Sequence, residues 1–115
     1  MKSTIEFRVR VYRDDRIAIG PGKVALLEAI SEAGSIAAAA RLIGMSYRRA
    51  WLLVDETNRA MKWPVVGTAT GGAKGGGTVL TPSGLALVAR YRALEAAASR
   101  AAEAEIAALQ SLLAP

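Results

Sequence analysis

Gly34-Ser35-Ile36-Ala37-Ala38-Ala39-Ala40-Arg41-Leu42-Ile43-Gly44-Met45-Ser46-Tyr47-Arg48-Arg49-Ala50-Trp51 decides the reading of this chain, together with its continuation from Leu52 to Trp63. Ser35 is a good N-cap for a short alanine-rich helix. Gly44 falls where a tight turn needs a positive φ. Ser46 is a second N-cap and opens a longer helix, which Pro64 is expected to stop. Two helices joined in this way form a helix-turn-helix. Ala39 and Ala40 are small enough to let the helices cross closely, and Ile43 and Met45 flank the turn and can point inward. Ala50, Leu53, Val54, Thr57 and Met61 recur at helical spacing and give the second helix a core face. The other face begins with Ser46, Tyr47, Arg48 and Arg49, polar, aromatic and cationic groups at a helix N-terminus, where a recognition helix meets DNA.

Charge supports that reading. The formal net charge of the 115 residues is +5. Residues 41–92 hold eight basic side chains (Arg41, Arg48, Arg49, Arg59, Lys62, Lys74, Arg90, Arg92) and two acidic ones (Asp55, Glu56), whereas the remainder is nearly balanced. The excess lies on the proposed reading head and on the residues C-terminal to it, a footprint for a polyanion. A membrane surface would instead require a basic amphipathic helix with large apolar anchors, and none is evident. There is no run of eighteen apolar residues and no secretory signal at Met1-Lys2-Ser3-Thr4, so a cytoplasmic protein is expected. Cysteine and histidine are both absent. That removes disulfides, thiolate and imidazole metal sites, and Ser-His or Cys-His catalysis. No nucleophile–base pair or cofactor loop is found, so no enzyme, metal or cofactor is expected.

Around the central stretch the chain reads in order. Thr4 to Tyr12 alternates, with Ile5, Phe7, Val9 and Val11 on one face, and predicts a half-buried strand. Asp14-Asp15 is a turn, and Ile17 to Ile19 a short returning strand. Pro21 opens a helix at its first position, Val24, Leu27, Ala29, Ile30 and Ala33 supply its apolar stripe, and Gly34 ends it. After Pro64, two β-prone runs flank Gly71-Gly72-Ala73-Lys74-Gly75-Gly76-Gly77, which predicts a β-hairpin with a long tip. The loop fails as a phosphate-binding loop, because Lys74 follows Ala73 and precedes Gly75, and it fails as a dinucleotide loop because no helix follows it. A wing beside the recognition helix fits best, with glycine allowing close approach to phosphate and Lys74 adding charge at the tip. Thr81-Pro82 starts a last helix, predicted unbroken to about Leu113 and too long for so small a domain. Leu85, Val88, Tyr91, Leu94, Ala98, Ala101, Ile106, Leu109 and Leu112 form its stripe, which implies pairing with a second copy. The expected fold is therefore mainly α with small β-hairpins: a winged helix-turn-helix over residues 1–82 and a long C-terminal dimerisation helix over 83–115.

The order strand, helix, helix-turn-helix, wing, long helix is similar to winged-helix regulators of the broad LysR type. Within that type the chain resembles the N-terminal DNA-binding domain of the ModE molybdate-responsive regulators. The resemblance rests on Gly34-Ser35-Ile36, Gly44-Met45-Ser46-Tyr47-Arg48-Arg49-Ala50-Trp51, Thr70-Gly71-Gly72-Ala73-Lys74-Gly75-Gly76-Gly77 and Val79-Leu80-Thr81-Pro82-Ser83-Gly84. It implies a homodimeric transcription regulator that binds double-stranded DNA. It also implies that Ser46, Tyr47, Arg48 and Arg49 are groove residues and Lys74 a wing contact; Ser35, at the first N-cap, joins them as a DNA-binding candidate. Trp51 matches a family position but is expected to pack rather than read bases. The chain ends at Pro115, short of that family's molybdate-binding region, so molybdate binding is not expected. The alternative is a protein–protein interaction module that uses a winged-helix fold without DNA.

Overall fold

A computed structural model of the protein describes residues 2–69 and 77–115. These form five helices and two separate antiparallel hairpins, so the chain is mostly helical. Strands β1 (Val11–Arg13) and β2 (Arg16–Ile19) make the first hairpin, with Arg13 opposite Arg16. The turn between them is Asp14-Asp15, and Asp14 takes a φ of 56°, a left-handed conformation that aspartate tolerates better than most residues. Helix α1 (Pro21–Ala33) begins with proline at its first turn and ends at Gly34, whose φ is 79°. Helix α2 (Ile36–Leu42) and helix α3 (Tyr47–Ala60) come next.

The short connection between α2 and α3 is set by local chemistry. Gly44 sits at φ 68°. Its N–H donates to Arg41 O at 3.3 Å, and the Met45 N–H donates to Ala40 O at 2.8 Å. This is the paired bonding of a Schellman end, which needs a residue free to adopt positive φ at that point. Ser46 then caps α3 by accepting from the Arg49 N–H at 3.1 Å, as Ser35 caps α2 by accepting from the Ala38 N–H at 3.0 Å.

The core lies where α1, α2 and α3 pack on one another, closed by Val65, Val66, Leu87 and Tyr91 from the C-terminal half. Val24, Leu27, Ala29 and Ile30 of α1 are buried as the stripe requires, and Leu26, outside that stripe, is buried as well. Ala39 and Ala40 are buried, and Ala50, Val54 and Thr57 face inward from α3. Thr57 is a buried polar residue, and its hydroxyl is satisfied by donating to Leu53 O at 2.6 Å. Ile43 departs from expectation: it is exposed, while Met45 is partly buried.

The second hairpin, β3 (Val66–Ala69) and β4 (Gly77–Leu80), pairs Val66 with Leu80 and Ala69 with Gly77. Helix α4 (Pro82–Ala101) starts on Thr81, which caps it by accepting from the Gly84 N–H at 3.1 Å and donates its own hydroxyl hydrogen to Pro64 O at 2.6 Å.

The structure corrects further expectations. The strand predicted over Thr4 to Tyr12 is confined to Val11–Arg13. Residues 2–10 have no hydrogen-bonded neighbouring strand among the described residues and run instead beside the last helices. The Tyr91 hydroxyl donates to Val9 O at 2.8 Å, and the Gln110 side-chain amide donates to the Ser3 hydroxyl at 3.1 Å. Helix α3 ends at Ala60, before Pro64 is reached, with Met61 already extended. The last helix is interrupted at Ala102, where ψ rises to 11°, and resumes as α5 (Glu103–Gln110). The charges suit that break, because Arg100 lies in the last turn of α4 while Glu103 and Glu105 lie in the first turn of α5, each complementing a helix end. Finally, the stripe on these helices is not continuous in its burial: Tyr91 joins the core, as does Leu87 from outside the stripe, while Leu85, Leu94, Leu109 and Leu112 are exposed.

Candidate nucleic-acid interface

Helix α3 presents its first turn to solvent. Ser46, Tyr47, Arg48 and Arg49 are all exposed. Among the described residues neither arginine has an ion-pair partner. The two acidic residues of α3 are both engaged elsewhere: Asp55 with Arg59 at 3.1 Å and Glu56 with Lys23 at 3.6 Å. Two cations in the first turn oppose the helix dipole, whose positive end lies there, and no acidic residue accompanies them. Helix stability alone does not select that arrangement. An anion held against the turn would.

Successive residues on a helix point about 100° apart, so the two arginines serve different faces. Arg48 joins Tyr47, Trp51 and Leu52 around a shallow groove of about 340 Å³. Arg49 faces the β1–β2 hairpin and lines a cleft of about 950 Å³ of mixed charge, with Arg10, Arg13, Arg16 and Arg59 beside Asp14, Asp15, Asp55 and Glu56. Trp51, expected to pack, is 47% exposed. The reason is register: Ala50, Val54 and Thr57 take the inward face, and position 51 turns away from it.

A charge count that begins at Arg41 misses the hairpin arginines. Their signal is the run Arg10-Val11-Tyr12-Arg13-Asp14-Asp15-Arg16, in which Asp14 and Asp15 hide the positive charge from any net sum. The fold carries this run to α3, since β2 packs on that helix and the Lys23 ammonium of α1 donates to Ile17 O at 2.5 Å while pairing with Glu56 of α3 at 3.6 Å.

The second hairpin is fixed to the other end of α3 by Asn58. Its side-chain oxygen accepts from the Val65 N–H at 2.8 Å and the Val66 N–H at 3.2 Å, and its amide donates to Val66 O at 3.3 Å. At its far strand the Thr78 N–H donates to Gly34 O at 3.0 Å, next to Ser35. Ser35 is partly buried, its hydroxyl taken by the cap of α2, and it stands at the α1–α2 junction rather than with the groove residues. Lys74 lies outside the described residues. Away from this face, Arg92 links α4 to α1: its Nε donates to Glu28 Oε2 at 3.1 Å and its Nη2 to the other carboxylate oxygen. That hydrogen bonding holds the Glu28 carboxyl below its usual range, against the opposing effect of partial burial, and raises Arg92. Among the described residues no cluster of carboxylates is arranged to hold a metal ion, and no helix is long and apolar enough to cross a membrane.

No protein-family model matches the chain. It is similar to several characterised proteins over most of its own length. Over 82 residues, 71% of this chain, it is 50% identical to the molybdenum-pterin-binding protein MopB of Rhodobacter capsulatus. Over 88 residues, 76% of the chain, it is 42% identical to the molybdenum transport protein ModE of Azotobacter vinelandii. Over the same share it is 35% identical to the DNA-binding transcriptional dual regulator ModE of Escherichia coli. These alignments cover 30%, 33% and 31% of the three relatives, so the chain spans about a third of the length of the proteins it matches. The expectation that molybdate is not bound finds no support in these names, since MopB is called a molybdenum-pterin-binding protein, as is MopA of the same organism.

Proposed function

We propose that this chain is the winged helix-turn-helix, DNA-binding part of a transcriptional regulator of the ModE type. Helices α2 and α3 are the helix-turn-helix, with α3 in the major groove. The β3–β4 hairpin is the wing, and Lys74, in the glycine-rich segment between its strands, is its phosphate contact. Residues 1–82 make up the DNA-binding unit. Residues 83–115 pair with a second copy, which sets two α3 helices one helical turn of DNA apart, about 34 Å. By the likeness to the proteins named above, the genes it controls are concerned with molybdenum. The observation that carries the reading is the capped, exposed first turn of α3, where Arg48 and Arg49 oppose the helix dipole and are free of ion pairs among the described residues. Arg10, Arg13 and Arg16 extend the cationic surface alongside and add phosphate contacts.

The test separates reading from gripping. Sites are first selected from a random DNA pool, then binding is titrated with salt on a selected and a random duplex. Arg48→Ala is expected to weaken the selected duplex by about 1–3 kcal/mol and the random one much less, because a bidentate arginine distinguishes guanine from other bases. Lys74→Ala weakens both alike and lowers the salt slope by about one unit. Failure of the wild-type protein to bind any duplex in a salt-dependent way would overturn the proposal in favour of a protein-interaction module.

A further inference from the structure

Helix α3 exposes more apolar surface than a helix with a satisfied core face requires. Its inward side is complete with Ala50, Val54 and Thr57. Yet Tyr47 is 56%, Trp51 47% and Leu52 42% exposed, and together with Arg48 they surround one shallow groove. The spacing 47, 48, 51, 52 places all four on a single helical face. Large apolar groups gathered on one exposed face mark a contact surface rather than random exposure.

The surroundings of the groove identify what covers it. Arg48 is part of it, Arg49 is the next residue, and the groove lies at the positive end of the α3 dipole with no acidic side chain in the first turn. An apolar protein segment gains nothing from that field, whereas DNA meets it with phosphate. On the floor of the major groove each base pair offers hydrogen-bonding groups, and the one apolar group presented there is the thymine 5-methyl. An arginine beside two apolar side chains therefore matches a guanine beside a thymine.

We infer that Trp51 and Leu52 are specificity-determining residues that read thymine 5-methyl groups next to the guanine contacted by Arg48. This rests on the DNA-binding reading above and adds to it a second, apolar component of recognition. Arg48 supplies hydrogen-bond discrimination, and the Trp51–Leu52 pair discriminates thymine from cytosine and from any base that lacks the methyl. Removing one buried methyl group is worth about a fourfold change in affinity.

Deoxyuridine provides the test, because it keeps every hydrogen-bonding group of thymine and lacks only the methyl. In a duplex selected by the wild-type protein, thymines are replaced one at a time by deoxyuridine. At one or two positions per half-site the affinity should fall about fourfold, while random duplex and the salt slope are unaffected. The same replacements are then made against Trp51→Ala and Leu52→Ala. At each sensitive position at least one of these variants should bind thymine and deoxyuridine duplexes equally. Wild-type protein that binds both duplexes equally overturns the inference and leaves the DNA-binding reading intact. A loss shared undiminished by both variants reports a change in the duplex rather than a methyl contact and also overturns it. Absence of any duplex binding by the wild type fails both readings together.

Discussion

Two regions of this molecule expose large apolar side chains, and they do so in different electrostatic settings. On α3, Tyr47, Trp51 and Leu52 stand among cations that lack ion-pair partners among the described residues. On α4 and α5, Leu94 and Leu109 stand among charges that cancel, since Pro82–Gln110 carries Arg90, Arg92 and Arg100 against Glu95, Glu103 and Glu105. A balanced apolar helix favours another protein surface, most simply its own copy. An apolar patch in a cationic field favours a polyanion whose interior edges are partly apolar. Both regions expose large apolar groups; the charge beside them separates the partners proposed for each.

The largest effect expected is at the tail. Leu109 is 62% exposed on α5, none of whose residues is buried. If this face pairs with its symmetry mate, Leu109→Asp removes a buried leucine from each copy, about 2 kcal/mol each and about 4 kcal/mol for the dimer. The dimer should dissociate about a thousandfold more readily, as measured by sedimentation at micromolar protein. Trp51→Ala should leave the oligomeric state unchanged. A wild-type chain that is monomeric at tens of micromolar would break the comparison at this end.

The joint between the regions is Gly84. A Cβ there would lie 2.1 Å from Val65 O, the same oxygen that accepts from the Thr81 N–H at 3.0 Å. Gly84→Ala therefore forces α4 away from the start of β3. Overpacking of this kind costs about 3 kcal/mol, a loss of about 10 °C or more in thermal midpoint. An unchanged midpoint would mean that the two regions are coupled less tightly than this contact requires.

How much the sequence discloses about these regions depends on the range of the interactions. Ser35, Ser46 and Thr81 each accept from an N–H three residues on, and Gly34 and Gly44 both take positive φ; all of this is settled within a few residues and is legible in the chain. The alternation from Thr4 to Tyr12 is equally clear, but a strand needs a neighbour, and among the described residues no strand pairs with 2–10, where Val9 O accepts instead from Tyr91 of α4. For Trp51, size argues for burial and helical register against it, and register prevails. Arg10, Arg13 and Arg16 join the candidate interface only through the packing of β2 on α3, a contact between distant residues that no local pattern announces.

The smallest effect expected sharpens the claim about α3 most directly, because it asks whether its first turn is built for stability or for binding. Ser46 caps the helix by accepting from the Arg49 N–H. Three residues after such a cap, glutamate would complete a capping box by accepting in return from the Ser46 N–H, which has no backbone partner among the described residues. This chain has arginine there, against the dipole. Arg49→Glu should therefore stabilise the free protein by about 0.5–1.5 kcal/mol, raising the thermal midpoint by a few degrees. The cleft it faces holds both Arg10, Arg13 and Arg16 and the carboxylates Asp14, Asp15, Asp55 and Glu56, so the charges there offset one another and the gain comes from the cap and the dipole. The same substitution should weaken binding to every duplex at least tenfold, since it places a negative charge where phosphate is proposed to lie. Arg49→Gln, which can also close the box, should keep part of the stability gain and lose less affinity. A rise in midpoint together with a fall in affinity means that the arginine is kept for its ligand at the expense of the helix. A fall in midpoint would assign Arg49 to holding the β1–β2 hairpin in place, and the contrast between a binding face on α3 and a pairing face on the tail would then have to rest on Arg48 alone.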